Sequence, residues 1–256
     1  MYILFSPSEG KKEGGTFAPL REQSLLFPSL YEKRLPLVRS YDEAMLHGSL
    51  EELQKLTGIK KEEEIRRYQE SLFSSPTMAA IERYDGVAYD YLDLASLAAP
   101  EKTYLYEQCI IFSNLFGPIR AGDAIPSYKF KQGQTLGAVA TEKVYKQEFS
   151  SALDELFKDE LILDLRAGFY EKFYALKRPF VTMKFLKEGK VVSHWAKAYR
   201  GKVLRTLAQI QPKNEEQLLA IAYEGLRFVE SVEYKKGKML VFEVVEQERS
   251  KDQTDT

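Results

Sequence analysis

The chain has 256 residues, 44% hydrophobic and 29% charged, with 37 basic against 38 acidic side chains and a net charge of -1. That composition excludes an intrinsically disordered chain, and the near-zero net charge excludes attraction to polyanions by bulk charge. The single Cys109 excludes an internal disulfide, and His47 and His194 stand far apart with no Cys, Asp or Glu at ligand spacing, so no metal or other cofactor is expected.

Met1 to Phe5 is too short for a signal segment, and no apolar run approaches the roughly 18 residues of a membrane span, which predicts a cytoplasmic protein with no membrane partner. Tyr2 to Phe5 reads as a short buried strand ended by Ser6-Pro7. The run Ser8 to Gly15 reads as a loop, either plainly solvated or presenting backbone N–H groups and the Lys11 ammonium to an anion.

Ser49 to Ser71 reads as two helices around a tight turn, with Ser49 and Glu52 as a capping box and Gly58 as the break. Leu56-Thr57-Gly58-Ile59 resembles a helix-hairpin-helix element, whose hairpin amides grip a DNA phosphate. Here Lys60 replaces the second hairpin glycine, and Glu62-Glu63-Glu64 place carboxylates where the phosphate would lie, so a plain helical hairpin competes with the DNA grip.

Gln108 to Phe112 and Leu161 to Leu165 read as buried strands, Thr141 to Lys158 as an amphipathic helix. Phe180 to Lys187 with Lys190 to Ser193, and Arg227 to Tyr234 with Lys238 to Val245, read as hairpins flanking a helix from Trp195 to Gln211. Residues 1–246 are expected to form one α+β domain with strands scattered throughout, and 247–256 a disordered tail.

The Ser113 to Lys129 segment leaves the strand through two glycines and two prolines and displays Arg120, Asp123, Tyr128 and Lys129, as a ligand loop or as a turn closed by an Arg120 to Asp123 pair. Charge collects downstream: nine cations between Lys177 and Arg205 face one acid, Glu188. On a helical wheel Ala196, Tyr199, Val203, Leu207 and Ile210 form the buried stripe, with Lys197 and Arg200 at its border, whereas Lys187, Lys190, Lys202 and Arg205 are expected in solvent. A guanidinium at that border requires a carboxylate or an anionic ligand. Tyr89, Tyr128 and Tyr199 either pack the core or stack on bases.

Ser113, Leu115, Gly117, Arg120, Asp123, Tyr128 and Gly133 share the spacing of a segment of the YaaA family of peroxide stress resistance proteins, and the resemblance covers almost the whole chain. It includes Ser6 to Lys11, Gly86 to Leu92, Asp164 to Arg166 leading to Tyr170, Ala196 to Gly201, and Glu224 to Leu226. The resemblance implies a single mixed α/β domain with a basic cleft, DNA binding in some members, and a role in limiting peroxide damage by lowering free iron. Departures are Lys129 for the family's Arg, Lys131 for an acid, Ala121 for Pro and Ala167 for Ser.

Two functions follow as expectations. In the first, Lys11, Arg120, Lys129, Lys197 and Arg200 hold the phosphates of DNA, bubbled or single-stranded, with Tyr89 and Tyr128 stacking on unpaired bases and Gly58, Ile59 and Lys60 as a helix-hairpin-helix-like contact. In the second, an enzyme acts on a nucleotide or other small phosphorylated compound, with Ser6 and Tyr128 as catalytic candidates. A basic hairpin docking on an acidic partner is a third possibility.

Overall fold

The computed structural model describes residues 1–191 and 193–245; the tail expected to be disordered lies outside the described residues. They build an eight-stranded mixed sheet. Five strands run parallel in the spatial order Gly237–Val244, Val181–Lys187, Ile162–Asp164, Tyr2–Phe5 and Cys109–Ser113. Antiparallel Leu226–Tyr234 and Gly117–Arg120 close the two edges, and Lys190–Val191 pairs with the far end of Val181–Lys187.

Consecutive strand residues point to opposite faces, yet Ile3, Leu4 and Phe5, like Cys109 through Ser113, are all buried. Both faces of the sheet centre are therefore covered, which explains why these strands read as continuous apolar runs without alternation. Among the helices are Tyr31–His47, Ala99–Gln108, Thr141–Leu156 and Ser193–Ile210. The predicted strands and hairpins lie within two or three residues of their observed bounds.

The route of the chain creates a crevice. From Tyr2–Phe5 it passes to Cys109–Ser113 on one side, then returns to Ile162–Asp164 on the other and continues outward. Connections leaving two adjacent parallel strands in opposite directions open a space at their carboxyl ends, the usual ligand position in open α/β sheets. Here that space lies beyond Phe5 and Asp164.

Ser193–Ile210 crosses Val87–Leu92 at close range. A Cβ on Gly201 would stand 2.0 Å from the Ala88 carbonyl oxygen, so only glycine permits the contact. The buried stripe of this helix contains Ala196, Tyr199, Val203 and Leu207 as expected, with Leu204 and Ala208 added; Ile210 is instead 51% exposed, because the stripe turns away from the core at the last helical residue.

Candidate site at the carboxyl ends of the sheet

A cleft of about 960 Å³ occupies the crevice. Its floor and apolar wall include Phe5, Leu165, Met183 and Phe185, and its polar lining includes Ser6, Glu9, Asp85, Lys184, Lys197 and Arg200. Ser6 ties the two strand ends together: its Oγ accepts from Ala167 N at 2.8 Å, and its carbonyl accepts from the Tyr89 hydroxyl at 2.9 Å.

The loop after Ser6 is shaped from beneath. Buried Arg83 donates to the carbonyls of Lys12 (2.6 Å) and Gly14 (2.7 Å), while Gly10–Lys11 pairs with Tyr84–Asp85. No sequence signal marked Arg83, since its partners are main-chain oxygens far away in the chain. The loop is thus held by the core and does not hang in solvent.

Lys11 is drawn inward by that pairing. Its Nζ donates to Ser8 O at 3.1 Å and lies 4.1 Å from the centroid of the Tyr128 ring. Burial, reinforced by neighbouring Lys129, depresses its pKa to about 7, against the opposing pull of Glu9. Lys129 is paired with Glu9 at 3.5 Å.

Arg200 lies half-buried at the cleft wall, where burial lowers its pKa and the charge of Asp164 partly offsets the shift. Among the described residues no hydrogen bond or ion pair holds its guanidinium. Asp164 is itself committed to Arg166 through two contacts, Nε to Oδ1 at 2.9 Å and Nη2 to Oδ2 at 2.7 Å, both partners being buried. Exposed Lys197 and half-buried Lys184 line the same cleft.

Several expectations require correction. Arg120 sits at the other end of the sheet, because Gly117–Arg120 runs antiparallel and brings it opposite Ile110, the second residue of its parallel neighbour. Asp123 does close that turn, but onto the backbone: its carboxylate accepts from Arg120 N at 2.8 Å and from Leu26 N, and burial raises its pKa to about 6. Tyr128 is 2% exposed, with its hydroxyl bonded to Tyr84 (2.9 Å) and Ser113 (2.8 Å). Burial pushes the phenol pKa far up, so Tyr128 serves neither as a stacking platform nor as an acid or base in the cleft.

Tyr89 and Tyr199 likewise pack inside, Tyr89 edge-on to Phe5 and Tyr199 stacked on Phe185. Three of the four cations expected in solvent are engaged. Arg205 caps Val87–Leu92 by donating to the carbonyls of Leu92 and Asp93, and half-buried Lys202 lies over the Tyr91 and Tyr199 rings. Lys187, also half-buried, lies over the Trp195 ring; Lys190 is exposed as expected.

The Ser49–Glu52 capping box is present, and Gly58 takes the left-handed conformation that ends Leu50–Thr57. The hairpin amides are occupied, Gly58 N by the Gln54 carbonyl and Ile59 N by Thr57 Oγ1. The following helix is one turn, Glu62–Ile65, and Lys61, Arg66 and Arg67 are paired with Glu64, Glu62 and Glu13; Lys60 is exposed. Gly58 and Ile59 therefore offer no free amide to a phosphate.

Cys109 is buried and its thiol pKa is raised by burial. Among the described residues no group of three or more His, Cys, Asp or Glu is placed to hold a metal, and no helix is long and apolar enough to cross a membrane.

Residues 1–232 match the family model described as peroxide stress protein YaaA. An uncharacterised protein of Campylobacter jejuni, Cj0984, is 49% identical over 90% of this chain and 94% of its own length. The UPF0246 protein Cgl1995/cg2186 of Corynebacterium glutamicum is 36% identical over 94% of this chain and 100% of its own. More distant is the UPF0246 protein FN1762 of Fusobacterium nucleatum, 24% identical over 88% of this chain and 92% of its own. A match of that extent places the chain in the family of the peroxide stress protein YaaA, whose name supports a role in peroxide stress.

Proposed function

We propose that the protein acts in the cytoplasm during peroxide stress, binding DNA at unpaired sites through this cleft and also limiting free-iron-driven damage. A phosphate rests on Arg200, Lys197 and Lys184, and the adjoining nucleotide enters the cleft against its apolar wall. The observation that carries this reading is Arg200: a half-buried guanidinium without a carboxylate partner among the described residues is costly unless an anion completes it. A cleft of about 960 Å³ also falls within the volume range of ligand sites.

Titration of duplex, bubbled and single-stranded DNA by fluorescence anisotropy tests the reading. Binding should favour the unpaired forms, fall steeply with salt, and disappear in Arg200→Ala. Absence of binding to all three at low salt would sink it. For the cellular half, a strain lacking the protein should show more iron detectable by electron paramagnetic resonance after peroxide, and Arg200→Ala should not correct it.

A second reading, an enzyme acting on a nucleotide in the same cleft, is favoured by Lys11, an amine depressed to about 7 within two residues of the cleft-lining Glu9. Ser6 stays at the cleft with its hydroxyl proton uncommitted to Ala167, which leaves it the catalytic candidate. Saturable turnover of a nucleotide, lost in Ser6→Ala, would favour this class over simple binding.

A further inference from the structure

Glu9 lines the cleft and is surrounded by donors. Its Oε2 lies 3.5 Å from Lys129 Nζ and its Oε1 accepts from Gln132 N at 3.4 Å, while its main-chain oxygen accepts from Lys129 Nζ at 3.2 Å and Lys11 Nζ at 3.4 Å. The carboxylate contacts are long for charge-assisted bonds, which ordinarily close to about 2.7–2.9 Å. The Glu9 side chain is 50% exposed, whereas that of Lys129 is 17% exposed. The acid is thus the more exposed member of the pair and the cation the more buried.

Two ammonium groups thus meet at the main-chain oxygen of Glu9, and one of them, Lys129, also faces its partly solvated carboxylate. Burial is the main cause of the lowered Lys11 pKa, and beside it the repulsion from Lys129 outweighs the attraction of Glu9. Replacing Glu9 by a phosphate would supply more negative charge and further acceptor oxygens to the same donors. The released carboxylate loses little, since it already contacts solvent and makes only a half-exposed ion pair.

We propose that Lys129 Nζ and the Gln132 N–H form a second anion subsite at the cleft, covered in the free protein by the Glu9 carboxylate and uncovered when a phosphate displaces it. The inference rests on the phosphate-binding reading of the cleft and deepens it. The ligand class becomes one with two anionic groups, the first on Arg200 and Lys197 and the second on Lys129 and Gln132. Successive phosphates of a strand and the phosphate chain of a free nucleotide share that chemistry.

Calorimetric titration of the full chain with inorganic pyrophosphate, adenosine triphosphate and a short single-stranded oligonucleotide separates the possibilities. Glu9→Gln should tighten binding by about fivefold, the upper range for an exposed ion pair that no longer competes. Lys129→Gln should weaken it, and Glu9→Gln combined with Lys129→Gln should lose the gain. The oligonucleotide responding alone identifies a strand as the ligand, the triphosphate responding alone a free nucleotide, and both support the subsite.

An unchanged or weaker Glu9→Gln, or a gain that survives loss of Lys129, overturns the subsite. If Arg200→Ala abolishes binding while Glu9 and Lys129 variants match the wild type, the cleft reading stands and the subsite falls. If neither wild type nor Glu9→Gln binds any of the three, both fall.

Discussion

The Lys11 ammonium stands 4.1 Å from the centroid of the Tyr128 ring, a cation placed on the negative face of a phenol that is itself sealed in the core. This contact, with two backbone carbonyls, replaces the hydration that burial removes, and the pKa of about 7 shows that replacement to be incomplete.

A pH dependence follows from Lys11. Its folded pKa lies below the ordinary value of 10.5, so between about 7 and 10.5 the unfolded chain holds the proton and the folded chain does not. The contribution of Lys11 to stability therefore rises with pH across that window. Urea unfolding from pH 7 to 9.5 should show this rise in the wild type and a flatter profile in Lys11→Met.

Asp123 gives the opposite slope at acid pH. Its pKa is raised by burial from 3.8 to about 6, so the folded state binds the proton more tightly, and its contribution to stability falls as pH rises from about 4 to 6. Asp123→Asn should lessen that dependence, measured as the difference in unfolding midpoint between pH 4.5 and 7.

Gly201→Ala tests the close helix crossing. The added methyl would meet the Ala88 carbonyl at 2.0 Å, and relief requires moving one backbone from the other. A loss of about 1–3 kcal/mol is expected, read by thermal or urea unfolding. An unchanged midpoint would show that the crossing is looser than the glycine contact implies.

Arg166→Met should cost about 3–5 kcal/mol, because it leaves the buried Asp164 carboxylate without its bidentate partner. Arg166 also donates to the carbonyls of Tyr170 and Tyr174 at 3.2 and 2.9 Å, so the turn after the Ile162–Asp164 strand should loosen, visible as faster amide exchange over 167–174.

Arg200→Ala should behave in the reverse sense: ligand binding is lost while the unfolding midpoint stays level or rises. A half-buried cation without a partner among the described residues contributes little to folding, so its removal relieves a desolvation cost. A large fall in midpoint would mark Arg200 as structural instead.

Sequence periodicity marks the buried strands Tyr2–Phe5, Cys109–Ser113 and Ile162–Asp164, both hairpins and the border position of Arg200, because each is a local pattern of apolar and polar residues; Gly117–Arg120, which begins Gly-Pro, reads as loop. Tyr31–His47 is not legible in that way: Pro36 lies inside the helix, and the buried face includes Arg34, Tyr41 and Asp42 where aliphatic residues would have given a stripe. Arg83 and the inward turn of Lys11 depend on partners distant in the chain, which no local window contains. The place of Arg120 is not legible either, because loop composition says nothing about the direction in which the following strand returns.

Ser6 and Ala167 are 161 positions apart in the chain, yet their hydrogen bond forms the lip of the cleft. The remaining lining comes from segments around residues 85–89, 132 and 183–200. No contiguous fragment short of about three-quarters of the chain contains the parts. A fragment ending before residue 183 therefore carries Ser6 and Glu9 but lacks Lys184, Lys197 and Arg200, so the cleft exists only where nearly the whole sheet has been assembled.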